Sequence, residues 1–194
     1  MQYVLVSACL LGHAVRYDGL DNASQHPVLL QWLQEGRVLP FCPEVSGGLP
    51  TPRPAAEIEA AESALEGLGA AQPALGGGEG VLKGARRVIT LQGDDVSQAF
   101  VHGAQQGLAL AQARGIRLAV MKDGSPSCGS TRIYDGSFAS VRIPGAGVAA
   151  ALQRSAGIEV FAETQWDLAK AALDRLETLD GEVSQRSDTG ESTS

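Results

Sequence analysis

The sequence predicts a single α/β domain with a mostly parallel central sheet and helices on both of its faces. Three observations carry this. Short apolar runs of strand length alternate with longer segments of helical periodicity. One of these runs, "IRLAVMK" at 116–122, is continuously apolar over its middle, as a strand buried on both faces must be. The 194 residues, 44% of them hydrophobic, suffice for one sizeable core and not two.

In chain order, Tyr3 to Ala8 is the first expected strand, ending in Cys9 and a turn at Gly12. "SQHPVLLQWLQEG" at 24–36 reads as a helix. Pro27 lies in its first turn, Leu29, Leu30 and Leu33 are its apolar residues, and Gly36 stops it. Val38 to Phe41 is the second strand, followed by Cys42-Pro43, which completes a βαβ unit. Asp94 to Arg114 is a long helix with acidic residues at its start and apolar Val96, Phe100, Leu108 and Ala111 on one side. It feeds the strand within 116–122. "GVAAALQRSAG" at 147–157 predicts another helix, "IEVFAE" at 158–163 a further strand, and a last helix is expected to be capped at Thr164. The result is a three-layer, Rossmann-like domain over residues 1–179. The segment 62–80 and the Ser- and Gly-rich end, 180–194, are expected to be less ordered, the latter as a disordered tail.

A net charge of −7 argues against an extended nucleic-acid partner, which would require clustered Lys and Arg. A mononucleotide stays open. No stretch of eighteen apolar residues predicts a membrane span, and "MQYVLVSACLLG" lacks the basic flank of a signal peptide. The expected location is the cytoplasm. There an odd set of three cysteines points to metal binding or catalysis rather than disulfides.

Cys9, Cys42 and Cys128 each follow an expected parallel strand, the edge at which open α/β sheets bind ligands. Structural zinc prefers four ligands and paired cysteines, and this chain has no close pair. His26 starts a helix and His102 lies within one, leaving His13 as the histidine nearest the cysteines in sequence. An iron–sulfur cluster fits the wide spacing better, because cysteines from separate loops can grip it. Three thiolates hold three corners of a cubane, and the fourth iron is left as a Lewis acid. A cluster protein without catalysis and a metal-free cysteine hydrolase remain as alternatives; the first would favour four cysteines, the second a positioned base.

Around the cysteines, Glu44 in "CPEVSGGLPTPRPAAEI" is the candidate general base. Ser125 in "KDGSPSCG" is a candidate hydrogen-bond partner and proton relay, with Ser127 beside it and Lys122 or Asp123 in support. Arg16 in "RYDGLDN" and Arg53 are candidates to meet an anionic group of a substrate.

"VSACLLG" with "RYDG", then "CPEVSGGLPTPRPAAEI", then "KDGSPSCG" followed by "IYDG" and "GVAAAL", together resemble the thiouracil desulfidase family, from about Val4 to Thr164. The chain departs from the family's pattern in an Ala- and Glu-rich insertion after Ile58. The resemblance implies a [4Fe-4S] cluster held by Cys9, Cys42 and Cys128 with one iron not bound by protein. It implies sulfur removal from thiolated uracils, 4-thiouridine monophosphate being the favoured substrate class, with Glu44 and Ser125 at the family's catalytic positions. A small thionucleotide or thiobase and the iron–sulfur assembly machinery are the partners implied.

Overall fold

A computed structural model describes residues 1–60 and 76–188, the side chains of 182–188 excepted. Its centre is a parallel sheet of four strands: β1 (Val4–Ser7), β2 (Val38–Phe41), β5 (Leu118–Met121) and β8 (Glu159–Ala162), in the order β2-β1-β5-β8. Val4 pairs with Val38 on one side and with Leu118 on the other, and Leu118 with Glu159.

Strand alternation divides the core in two. Val4, Val6, Leu118 and Val120 face α1 (Pro27–Gln34) and α6 (Trp166–Asp188). Leu5, Ala119 and Met121 face α4 (Ser97–Ala113) and α5 (Val148–Ser155), with α2 (Pro43–Ser46) and α3 (Gly78–Leu82) on the same side. Both faces of β1 and β5 are covered, which is why these strands read as unbroken apolar runs.

The helices start where the sequence says they can. His26 occupies the N-cap of α1, its Nδ1 accepting from the Val28 N–H at 3.3 Å, with Pro27 following. Leu29 is buried, but Leu30 and Leu33 face solvent; Val28 and Trp32 form the rest of the inward stripe, and Trp32 meets Trp166 edge to face. The long helix begins at Ser97, not Asp94, because the preceding residues form a turn closed between Thr90 and Asp94. The last helix begins at Trp166 and runs beyond the expected boundary at Leu179, to Asp188. Asp180 pairs there with Arg117 on the approach to β5. Residues 189–194 of the expected tail lie outside the described residues, as do 61–75 of the insertion. Gly78 to Gly80, expected to be less ordered, open α3, whose Gly78 sits so close to Gly147 that a Cβ would stand 2.4 Å from its carbonyl carbon.

Two antiparallel ribbons flank the sheet and were not expected from the sequence. β3 (Ala56–Ile58) pairs with β4 (Val88–Thr90), and β6 (Arg132–Tyr134) pairs with β7 (Arg142–Pro144). Glu57, buried in β3, accepts from the N–H groups of Gly136 and Phe138 and so ties the tip of the second ribbon to the first.

Candidate active site

The sheet order fixes where a ligand can sit. From β1 the chain crosses to β2 on one side, and from β5 to β8 on the other, so the carboxyl ends of β1 and β5 flank a crevice. A cavity of about 450 Å³ opens there. Cys9 reaches it from the 3-10 turn after β1, Cys42 from the end of β2, and Cys128 from the loop after β5. The three cysteines are free thiols on one wall system.

Burial pushes all three thiols above their ordinary pKa, Cys128 furthest. Two of them also feel another: Cys42 raises Cys9, and both raise Cys128. Against this, the Asn22 side chain bonds Cys9, the Ser7 hydroxyl bonds Cys128, and the N–H groups of Val45 and Glu44 point at Cys42. Thiols that disfavour one another's charge, yet are supplied with donors to sulfur, make a donor set suited to a bound cation. Among the described residues no three His, Cys, Asp or Glu side chains close on a position for a single metal ion. The thiols line one cavity from three separate loops, an arrangement that suits an object with several metal corners.

Glu44 lies in the single turn α2, capped by Cys42. Two glycines bring this turn hard against α4: a Cβ on Gly103 would stand 1.8 Å from the Pro43 carbonyl oxygen, and one on Gly47 would stand 2.1 Å from that of Ala99. The carboxylate is gripped on both oxygens. Arg53 donates to Oε2 from Nε at 2.9 Å and from Nη2 at 2.7 Å, and Ser125 Oγ donates to Oε1 at 3.1 Å. Ser125 Oγ in turn accepts from the N–H groups of Ser127 and Cys128, both at 3.1 Å. The general-base candidate and the backbone of Cys128 are thus joined through one serine hydroxyl.

The supporting loop is organised by Asp123. Its Oδ1 accepts from the N–H groups of Ser130, Thr131 and Arg132, and Thr131 Oγ1 donates to Oδ2. Burial works to raise this carboxyl, but the Thr131 hydroxyl and the three backbone donors outweigh it and hold the pKa below the ordinary value. Lys122 lines the cavity, with its ammonium paired to Glu163 and its N–H bonded to Ser7 Oγ at 3.0 Å.

The structure redistributes the remaining candidates. Arg53 lines the cavity but is bound to Glu44, with further bonds to the carbonyl oxygens of Pro50 and Val15 and to Thr51, so its N–H donors are taken up within the protein. Arg16 lines the cavity but is paired with Asp18 and bonded to Asn22 at 2.6 Å. Ser127 is fully buried and off the cavity wall; its carbonyl receives the N–H groups of Ala149 and Ala150 at the start of α5. His13 is exposed and does not line the cavity. Sequence reasoning missed Ser7, Asn22 and Glu163, which bond site residues, and Arg142, which reaches the cavity from β7. Position at the end of β1 or just after β8 was the available signal for Ser7 and Glu163; nothing local marked Arg142, which depends on the β6-β7 pairing.

Comparison with known proteins agrees with this geometry. The solved structure of a [4Fe-4S]-dependent thiouracil desulfidase, TudS, is 42% identical and superposes with a TM-score of 0.74, covering 90% of this chain and 99% of that one. The uncharacterized protein YbbK of Bacillus subtilis (strain 168) is 37% identical over 163 residues, 84% of this chain and 96% of its own. Residues 4–165, which hold the whole central sheet and the three thiols, match the 2-thiouracil desulfurase family, and the chain therefore belongs to that family.

Proposed function

We propose that this protein is a hydrolytic desulfidase that replaces the sulfur of 4-thiouracil compounds, 4-thiouridine monophosphate best, by oxygen. The observation that carries the reading is the cavity at the crevice of the sheet, where three thiols stand beside a Glu44–Ser125 pair. Cys9, Cys42 and Cys128 would hold a [4Fe-4S] cluster, leaving one iron without a protein ligand. When bound, the cluster supplies a Lewis acid for soft sulfur at that iron.

The chain's own residues supply the proton chemistry. Glu44 takes a proton from the water that attacks the thiocarbonyl carbon, while Arg53 keeps the carboxylate aimed through Oε2 and leaves Oε1 for exchange. Ser125, held by two backbone N–H groups, passes a proton between Oε1 and the pyrimidine. In balance, a C=S group and water become a C=O group and hydrogen sulfide, with no net electron transfer. Four aromatic side chains, Tyr17, Phe41, Tyr134 and Phe138, line the cavity and give a flat base surfaces to lie against.

The free thiols suit a reducing compartment such as the cytoplasm, where iron–sulfur assembly machinery would load the site. Among the described residues no helix is long and apolar enough to cross a membrane. The test is anaerobic purification or reconstitution with iron and sulfide, followed by addition of 4-thiouridine monophosphate. A brown protein with about four irons per chain that bleaches the thionucleotide's near-ultraviolet band and releases sulfide is the expected result. Protein that carries the cluster and releases no sulfide from any thiouracil compound would overturn the activity and leave a non-catalytic cluster protein.

A further inference from the structure

Among the described residues four cations line the cavity, and three are already neutralised within the protein: Arg16 by Asp18, Arg53 by Glu44, and Lys122 by Glu163. Arg142 is the fourth. Among the described residues no carboxylate forms an ion pair with it; its side chain's one hydrogen bond there is from Nη2 to the Tyr134 hydroxyl oxygen at 3.3 Å, and its guanidinium lies 5.4 Å from the centre of that ring.

Its place is fixed by the fold. β7 pairs Arg142 with Tyr134 across the ribbon, and Glu57 ties the ribbon tip over the cavity. On the other side a Cβ built on Gly124 would stand 3.6 Å from the guanidinium carbon, so Arg142 borders the loop that carries Ser125 and Cys128. The guanidinium is exposed at the mouth, while the thiols and Glu44 lie deeper. A ligand with its reacting end inside would leave its far end here. Among the described residues the cavity's carboxylates, Glu44, Glu57 and Asp123, are each occupied by donors of the protein; Asp123, like Glu163, acts on Arg142 through its charge and forms no ion pair with it.

We propose that Arg142 is the phosphate subsite: it binds the 5′-phosphate of a thionucleotide at the cavity mouth and thereby sets the preference for the nucleotide over the free base. This rests on the desulfidase reading for the substrate's other end. A planar fork of N–H donors suits a phosphate monoester, which it can engage through two parallel hydrogen bonds. The Tyr134 ring beside it restricts the fork to one orientation.

Two measurements test this. In the first, the cluster-loaded protein and its R142Q and R142K variants are assayed on 4-thiouridine monophosphate and on 4-thiouracil. In R142Q the KM for the monophosphate should rise about ten- to a hundredfold more than that for 4-thiouracil, with R142K recovering part of the difference. An equal loss on both substrates would make Arg142 structural or catalytic and overturn the subsite. In the second, uridine monophosphate and uridine are titrated calorimetrically into the same proteins. Wild type should bind the monophosphate more tightly, and R142Q should erase that margin. No margin in wild type would also overturn the subsite. Absence of sulfide release from every thiouracil compound would instead sink the desulfidase reading, and the titration would still decide whether Arg142 binds phosphate.

Discussion

Glu44 in α2 and Arg53, nine residues further on, form one ion pair, and on the reading proposed above they do different work. Glu44 faces the thiol cavity through Oε1, whereas Arg53, only 5% exposed, closes on Oε2 from behind. Their variants should therefore separate. E44Q is expected to lower kcat for sulfide release about 10²- to 10⁴-fold with iron content unchanged. R53Q should cost less in kcat, about 10- to 100-fold, as loss of an orienting partner does. It should cost more in stability, because Glu44 is left half-enclosed without its cation. Iron analysis, kcat and thermal melting of the two variants decide it; equal kcat losses would return Arg53 to the chemistry itself.

Among the elements, the loop after β5 depends on one carboxylate and the turn after β2 on one helix face. Asp123 has a depressed pKa in the folded chain, so its stabilising bonds are fully present above the ordinary carboxyl value of 3.8. They are lost as pH falls through the lower folded value. The gap in melting temperature between wild type and D123N should accordingly be widest near neutral pH and shrink in acid. A gap that is independent of pH would remove Asp123 from that role. Gly103 and Gly107 of α4 admit the Pro43 carbonyl and the Phe41 ring at distances no side chain allows. G103A should destabilise by about 1–3 kcal/mol and, by shifting α2, lower iron retention before it unfolds the protein. Melting and iron content measured together will show whether the two effects come apart.

These glycines illustrate what the sequence could and could not disclose at this scale. β2 was legible to the residue, and β1, β5, β8 and α5 to within two residues at each end, because each is a local apolar pattern between local stop signals. The antiparallel ribbons were not. Their pairing joins Ala56 to Thr90 and Arg132 to Pro144 through long-range hydrogen bonds that no local periodicity announces. The N-terminal end of the last helix was placed one residue early, and its other end was cut at Leu179, where polar composition suggested disorder although Asp180 is tied to Arg117.

For the whole molecule, the convergence of Cys9, Cys42 and Cys128 was legible because strand ends of a parallel sheet share one edge. The clamp of Arg53 on Glu44 was not, since an arginine near a loop carries no sign of its partner. Nor was the burial of Ser127, which follows from the docking of α5. The positions of the three thiols have a further consequence. They are 33 and 86 residues apart along the chain, so a cofactor gripping all of them is also a cross-link. It staples three distant points of the backbone and shrinks the freedom of the unfolded chain, as a pair of disulfides would. On the reading proposed above, stripping the metal with an oxidant and a chelator should lower Tm by roughly 10 °C or more, and alanine at any one of the three cysteines should abolish the difference between loaded and stripped protein. The cofactor of such an enzyme is then a structural rivet as much as a reagent, and its loss in air would cost the protein its fold's reserve of stability together with its chemistry.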